Sequence, residues 1–242
     1  MSIGADARVL LSLLRGQPKC GSHAERLARF YGPQAQHYDG FRERLLQGRA
    51  ELIRRLNPGA GETLIELGGG TGRNLLFLGD RLAALGRVEL VDLCRPLLDE
   101  ARRKTASMDN VHVIEADACL YRPDAAVDVV YFSYALTMIP DWRAAVDNAL
   151  AMLKPGGRLG VVDFYVSEAS PAPGLVQHDA LTRAFWPRWF AHDGVHPNPA
   201  QLPLLRRRLP HHDLLEQRAS LPYLPLLRVP YYLFVGRKPA AC

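Results

Sequence analysis

The chain has 242 residues, 48% of them hydrophobic and 23% charged, which suits one globular domain, with at most an added cap, that can bury a core. No run of about 18 apolar residues occurs, which excludes a membrane-spanning helix, and the start, Met1-Ser-Ile-Gly-Ala-Asp6, lacks the charged head and small-residue cleavage site of a secretory signal. The net charge of +5 is compatible with nucleic acid, an anionic membrane face or neither, and the four scattered cysteines (Cys20, Cys94, Cys119, Cys242), with no Cys-x-x-Cys pair, lead us to expect reduced thiols and a cytoplasmic address.

Residues 1–30 are amphipathic in pieces, with Val9, Leu10, Leu13 and Leu14 at helical spacing up to Gly16-Gln-Pro18. The pattern suits either a helix packed on the domain or a lid or membrane-surface element. Next comes Phe30-Tyr-Gly-Pro-Gln-Ala35, then Tyr38-Asp39 and an expected helix from Phe41 to Leu56. Asn57-Pro-Gly-Ala-Gly61 is a turn cluster. It introduces Thr63–Leu67, a short buried strand, followed by Gly68-Gly69-Gly70-Thr71-Gly72 and the apolar helical pattern Leu75, Leu76, Leu78. A strand, a glycine-rich turn and a helix let a ligand lie against backbone that carries no Cβ, and the N–H groups of a helix start suit an anion.

From there the elements alternate: a helix over Leu75–Leu85, a strand over Arg87–Asp92, a helix over Pro96–Thr105, a strand Val111–Asp117, a strand Val127–Phe132, a helix Asp141–Leu153, a turn at Lys154-Pro-Gly-Gly157 and a strand Arg158–Phe164. This rhythm predicts a parallel sheet with helices on both faces, and ligands in such sheets bind beyond the carboxyl ends of the strands. Residues 165–210 break the rhythm with Pro, His and the aromatics Phe185, Trp186, Trp189 and Phe190, as an insertion forming a substrate cap would. His192 and His196 are four apart, but Gly194 and Pro197 interrupt any shared helix, and no metal site is expected. Asp213–Leu221 and Val229–Val235 read as an antiparallel edge hairpin, joined by Pro222-Tyr-Leu-Pro225. From residue 201 onward there are seven Arg/Lys against two Asp/Glu, with Arg206-Arg-Arg208 as the densest cluster.

The glycine turn alone would also serve a dinucleotide, but Arg73 stands where that fingerprint places its third glycine. Glu66 instead gives Glu-x-Gly-x-Gly-x-Gly, and Asp92 and Asp117 end the next two strands. About 20 residues beyond the glycines is where a carboxylate holds a ribose diol. This trio resembles the class I S-adenosylmethionine-dependent methyltransferases. The resemblance implies a Rossmann-like seven-stranded α/β sheet, with a helical lid over residues 1–56 and a catalytic domain over 57–242. It places Gly68 and Gly70 under the methionine part of the cofactor, Asp92 at the ribose hydroxyls, and Asp117 with Ala118 at the adenine. Glu66, Asn74, Leu93 and Ser133 complete the cofactor set. Tyr38, by the same resemblance, touches the cofactor and takes part in catalysis, and Arg42 meets the cofactor carboxylate. The Asn/Asp-Pro-Pro-aromatic string of enzymes that methylate nucleobase amines is absent after the fourth strand, where Ser133 and Tyr134 stand, so a nucleic-acid partner is not expected.

Longer strings carry a narrower resemblance: Phe30–Ala35 with Tyr38-Asp39, Arg42–Arg49, Tyr134-Ala-Leu-Thr-Met-Ile-Pro-Asp-Trp142, Val162-Asp-Phe164, Phe185-Trp-Pro-Arg-Trp-Phe190, Tyr223-Leu-Pro225 and Val229–Lys238. Together these are similar to the diacylglycerylhomoserine N-methyltransferases, which finish a betaine lipid. That implies a lipid amine as acceptor and a separate enzyme supplying it. It also implies Tyr134 as a catalytic residue and Tyr31, Tyr134, Trp186 and Trp189 as substrate contacts. The enzyme is then expected on the inner face of the membrane, held peripherally at an anionic surface by residues such as Arg206–Arg208.

Overall fold

The computed structural model describes residues 18, 20–34, 45–221 and 224–240. The leucine pattern over residues 9–14, Tyr38, Asp39, Arg42, Tyr223 and Cys242 lie outside the described residues. Strands β1 (Thr63–Leu67), β2 (Arg87–Asp92), β3 (Val111–Glu115), β4 (Val127–Ser133), β5 (Leu153–Phe164), β6 (His212–Leu221) and β7 (Leu224–Arg237) form one seven-stranded sheet in the order β3-β2-β1-β4-β5-β7-β6. The first five are parallel, and β7 returns antiparallel between β5 and the edge strand β6. The hairpin expected at the end of the chain is therefore present, with its second strand on the inside.

Alternation along each strand assigns its residues to two cores. In β1, Leu64 packs on one face with Val88, Leu90 and Val129, beneath Leu52, Ile53 and Leu56 of helix α2 (Arg49–Leu56). Ile65 and Leu67 pack on the other with Val130 and Phe132, beneath Ala145, Val146 and Ala149 of a helix over Trp142–Met152. All three strand residues are fully buried. Helix α1 (His23–Tyr31) is fixed at its start by a capping box, in which Ser22 Oγ accepts from the Glu25 N–H and Glu25 Oε2 from the Ser22 N–H. Its Leu27, Phe30 and Tyr31 pack on Cys94 and on Leu97 of helix α4 (Arg95–Lys104), which places α1 across the carboxyl end of β2.

Three expected helices or turns take a different form. Gly48 adopts φ +81°, so α2 starts at Arg49 and no single helix runs through residue 48. Gly79 (φ +54°) divides the expected Leu75–Leu85 helix into a 3-10 turn, Arg73–Leu78, and helix α3 (Arg81–Ala84). The Lys154–Gly157 turn is absorbed into β5 as a register slip, since Val127 pairs with Leu153 but Val129 with Arg158. β3 ends at Glu115, which leaves Asp117 on the loop beyond it.

The stretch over residues 165–210 holds two further helices, following α5 (Trp142–Met152): α6 (Ala180–Ala191) and α7 (Gln201–Arg208). Leu202, Leu204 and Leu205 of α7 pack against Tyr232 and Phe234 in the second core, and Trp186 and Phe190 of α6 belong to the first. These helices are docked on the sheet. Among the described residues no helix is long and apolar enough to cross a membrane, and no group of three His, Cys, Asp or Glu is placed to hold a metal.

Candidate active site

The chain leaves β1 toward β2 and β3 on one side and returns to β4 on the other. The crevice at this switch point lies beyond Leu67, Asp92 and Phe132, which the ladder holds near one level (Leu67↔Val91, Leu67↔Phe132, Asp92↔Glu115). A cavity of about 450 Å³ occupies it.

The glycine turn forms its floor. The Gly68 and Gly69 N–H groups both donate to Val91 O (2.8 and 3.1 Å), which pins the turn to β2. Gly68 has φ +76°, and a Cβ there would come within 2.5 Å of Ala135 Cβ. Gly70, at φ +53°, has only Leu97 Cδ1 at 3.7 Å in the way of a Cβ, and it lines the cavity. The expected helix start behind the turn is a six-residue 3-10 segment, so anion binding here would rest on individual N–H groups and side chains.

Asp92 stands at the cavity edge. Its Oδ2 accepts from the Gly70 N–H (2.8 Å) and its Oδ1 from the Cys94 N–H (2.7 Å). A carboxylate has about four lone-pair sites, so even with the Leu93 N–H as a third backbone donor an acceptor position remains for a ligand. Burial raises the acid's pKa, and the backbone donors of Cys94, Gly70 and Leu93 oppose this. Asp117 is fixed similarly, its Oδ1 accepting from the Cys119 N–H at 2.8 Å, with Ala118 beside it on the wall. His23 of α1 also faces the cavity; burial lowers its pKa, Arg26 adds to this, and Asp117 opposes it.

Glu66 is fully buried beneath the turn. The β1–β4 register pairs it with Tyr131, whose phenol donates to Oε2 at 2.7 Å, while Asn74 Nδ2 donates to Oε1 at 2.5 Å. Arg49 Nη1 donates in turn to Asn74 Oδ1 at 3.3 Å. Burial dominates and pushes the Glu66 carboxyl up to about 7, against the lowering from Asn74, Tyr131 and Arg49. Because the folded pKa exceeds the ordinary 4.5, the folded state binds the extra proton. The stabilisation is fully present below about pH 4.5 and is lost as pH rises through about 7, on the order of 3 kcal/mol. Glu66→Gln keeps one acceptor for Asn74 and offers an N–H to the Tyr131 oxygen without a charge. Denaturant unfolding should therefore find the wild type losing about 3 kcal/mol more than Glu66→Gln between about pH 5 and pH 8. A wild-type-to-variant gap that is constant across this range would place the proton elsewhere.

The wall opposite the turn comes from α1 and from the segment after β4. Tyr31 Oη donates to Met138 Sδ at 3.2 Å. Ser133 Oγ is buried with no protein partner, on a residue that lines the cavity. Tyr134 has φ +54°, a conformation costly for an aromatic residue and common where a site is held under strain. Its phenol donates to Gln47 O at 2.6 Å, and burial raises its pKa well above 10. Tyr134 is thus a fixed, protonated wall residue and has no free base function. Beneath this segment Asp163, fully buried, accepts from Thr137 N (3.1 Å), Thr137 Oγ1 (2.7 Å) and Phe164 N (2.8 Å). Burial pushes the Asp163 carboxyl up to about 6.

Of the residues expected from sequence, Tyr31, Glu66, Gly68, Gly70, Asn74, Asp92, Leu93, Asp117, Ala118, Ser133 and Tyr134 all line this one cavity. Trp186 does not: it is 3% exposed in the core, stacked on Phe190 at 5.5 Å. Trp189 does not either, at 47% exposed on the outer face of α6. No residue of 165–210 is in the lining. Arg49 was not singled out from sequence. It is a buried guanidinium at the cavity, and only the three-dimensional meeting of α2 with Asn74 reveals it. His23 and Met138 are of the same kind, brought in by α1 and by the segment after β4.

A positive-φ glycine turn, a carboxylate at the end of β2 and another on the loop after β3, and an unpartnered Ser133 hydroxyl fit a ligand with an amino-acid end, a ribose and a base. Fold and site together define a class I methyltransferase, for which that ligand is S-adenosylmethionine. Residues 38–214 match the family described as methyltransferase domain, and the chain belongs to that family. The demethylmenaquinone methyltransferase of Clavibacter sepedonicus is 36% identical over 85 residues, covering 34% of this chain and 35% of that protein. The chain thus aligns with about a third of the length of the curated relatives it matches. Among solved structures, phosphoethanolamine N-methyltransferase 2 of Haemonchus contortus, in complex with phosphomonomethylethanolamine and S-adenosylhomocysteine, has a TM-score of 0.69 at 14% identity, covering 92% of this chain and 61% of that one. The N-methyltransferase NodS of Bradyrhizobium japonicum WM9, in complex with S-adenosylhomocysteine, has a TM-score of 0.58 at 19% identity, covering 79% and 85%. These two likenesses concern the fold.

Proposed function

We propose that the chain is an S-adenosylmethionine-dependent N-methyltransferase that methylates the amino group of diacylglycerylhomoserine, stepwise to the trimethylated betaine lipid. The observation that carries this reading is the character of the cavity. Besides the glycine turn and the acids, its lining includes the apolar and aromatic side chains of Leu27, Tyr31, Leu46, Met138 and Ile139, which suit an acceptor with an apolar part. The strings behind the narrower resemblance supply part of this lining: Tyr31 in the first, Met138 and Ile139 in the Tyr134–Trp142 string. The likeness to two amine methyltransferases is in keeping with it.

S-adenosylmethionine supplies the methyl group on a sulfonium carbon, with a good leaving group. The protein's task is then alignment and exclusion of water. Gly68 and Gly70 with Asp92 and Asp117 hold the cofactor. Tyr134, fixed by Gln47 and set in its positive-φ turn, shapes the wall where methyl and amine meet. The acceptor must enter as the free amine, because an ammonium has no lone pair. Tyr31 offers a ring to the methylated ammonium, worth roughly 0.5–2 kcal/mol by cation–π attraction. A separate enzyme supplies the lipid, and an anionic membrane surface is the meeting place. In the Arg206–Arg208 cluster, Arg206 Nη1 donates to Pro173 O at 2.8 Å, Arg208 is paired with the half-exposed Asp147 at 2.7 Å, and Arg207 is exposed.

The test incubates the protein with labelled S-adenosylmethionine and vesicles containing diacylglycerylhomoserine, read by mass spectrometry of the lipid. Mono-, di- and trimethylated products are expected. Cofactor binding without lipid product would overturn the acceptor. The second reading is a quinone or soluble-amine methyltransferase, favoured by the demethylmenaquinone methyltransferase relatives. It predicts product from a demethylated prenylquinone or a water-soluble amine under the same conditions. A module that binds the cofactor without transfer would give product with none of them.

A further inference from the structure

Helix α6 carries a wide apolar arc, only part of which the core covers. Trp186 and Phe190 face the core, and Leu181, Phe185 and Trp189 recur at four-residue spacing on the adjoining face, where Phe185 still packs partly against the core. Leu181 is 78% exposed and Trp189 47% exposed, with Phe185 partly exposed between them and its ring 5.4 Å from that of Trp189. The apolar arc of this helix is thus wider than the core covers, and its exposed edge suits a second apolar environment.

The charge on this helix indicates which environment. Between residues 180 and 191 it carries Arg183 and Arg188 and no carboxylate. Arg188 is exposed next to Trp189, and its Nη1 donates to Ala184 O at 2.8 Å, which leaves the charge at the surface. The N-cap acid, Asp179, lies 3.9 Å from Arg218. An apolar and aromatic stripe ending in Trp and flanked by arginine is the make-up of a surface that enters the headgroup boundary of an anionic bilayer, where the amphipathic indole sits and the cation meets phosphate.

The helix is also joined to the cavity. Ring contacts run without a break from the wall to the surface: Tyr134 to Phe164 (4.7 Å), Phe164 to Phe190 (4.5 Å), Phe190 to Trp186 (5.5 Å), Trp186 to Phe185 (4.9 Å) and Phe185 to Trp189. Four rings (Phe164, Phe190, Trp186 and Phe185) thus connect Trp189 at the surface with Tyr134 in the cavity wall.

We infer that the Leu181–Phe185–Trp189 face of α6, with Arg188, is the surface by which this protein docks on an anionic lipid bilayer. The inference deepens the lipid-acceptor reading and rests on it for its purpose, but vesicle binding can be measured with no acceptor present. The experiment uses the full chain and vesicles of phosphatidylcholine with and without phosphatidylglycerol, read by co-sedimentation and by quenching of tryptophan emission with bromine-labelled acyl chains. The wild type is expected to bind the anionic vesicles, and Leu181→Ser with Trp189→Ser to weaken binding about tenfold or more. Arg188→Glu should weaken it at low salt and much less at high salt. Trp189→Phe should keep most of the binding and lose most of the quenching, because Trp142 and Trp186 are buried. Unchanged affinity for S-adenosylhomocysteine in each variant shows that the fold is intact.

Equal binding by wild type and the double variant overturns the proposal. So does a wild type that ignores vesicles, or one that is a dimer in solution and becomes a monomer in the double variant, which would make this face a self-interface. Stripe-dependent vesicle binding without methylation of diacylglycerylhomoserine leaves the docking surface standing and removes the acceptor. Methylation of that lipid in detergent, with no vesicle binding, does the reverse.

Discussion

Asp92→Ala is expected to lower the affinity for S-adenosylhomocysteine by about a hundredfold, measured by calorimetry at neutral pH. Two ribose hydroxyls donating to a carboxylate are hydrogen bonds to a charged group; allowing for water that replaces them, about 3 kcal/mol is lost, which is about two decades in Kd. The residue has a second task, since its two oxygens also accept from Gly70 N and Cys94 N. Alanine removes both acceptors at once, so some loss of stability in the ligand-free protein accompanies the loss of binding. The two effects separate in a thermal experiment: the ligand-free Tm falls modestly, while the rise in Tm on adding S-adenosylhomocysteine nearly vanishes. Asp92→Asn should not restore the site, because its amide group must set an N–H against one of the two backbone donors. A variant that binds within about threefold of wild type, a difference below 1 kcal/mol, would take Asp92 out of the ribose role.

The second large effect is expected at Gly68. An alanine there meets Ala135 Cβ at 2.5 Å and must hold φ +76°. Overpacking costs roughly 1–3 kcal/mol and left-handed backbone for a non-glycine residue roughly 1–2 kcal/mol, so Gly68→Ala should lose about 2–5 kcal/mol of unfolding free energy. It should also abolish measurable cofactor binding, because the turn is tied to β2 through the Gly68 and Gly69 N–H groups on Val91 O and cannot move alone. Ala135→Gly removes the atom in collision. The double variant is expected to regain the packing part of the loss and to keep the backbone part, a coupling of about 1–3 kcal/mol in a double-mutant cycle. Full additivity of the two changes would mean that the turn relaxes away from Ala135 and that its shape is less constrained than the contact indicates.

Lys104 and Arg49 illustrate the limit of reading one dimension: both reach the glycine-turn region from helices, Lys104 through Thr71 O at 3.4 Å and Arg49 through Asn74. No spacing in the chain connects them. Asp163 is similar. In sequence it is one acid in a hydrophobic strand; in the fold it is the acceptor that fixes Thr137 and with it the segment carrying Met138 and Ile139.

What the sequence determined by itself was the β-α alternation, the glycine turn and the acids beyond β2 and β3. These are local patterns: period-2 and period-3.6 burial, glycine where φ must be positive, and a carboxylate at or just beyond a strand end. Parallel pairing then brings strand ends together, so residues far apart in the chain, such as Glu66, Asp92, Asp117 and Ser133, meet in one cavity. The tertiary structure alone decided where the aromatics of α6 go. Trp186 and Trp189 stand three apart on one helix, about 300° of rotation at 100° per residue, and composition treats them alike. Which of them is buried depends on where β5 leaves Phe164 for the helix to pack upon, and the ring stack from Tyr134 through Phe164 and Phe190 settles it, with Trp186 inside and Trp189 in solvent. The helix breaks at Gly48 and Gly79 were decided at the same level: both take positive φ, Gly48 where a Cβ would come within 2.8 Å of Tyr231 and Gly79 with nothing within 4 Å.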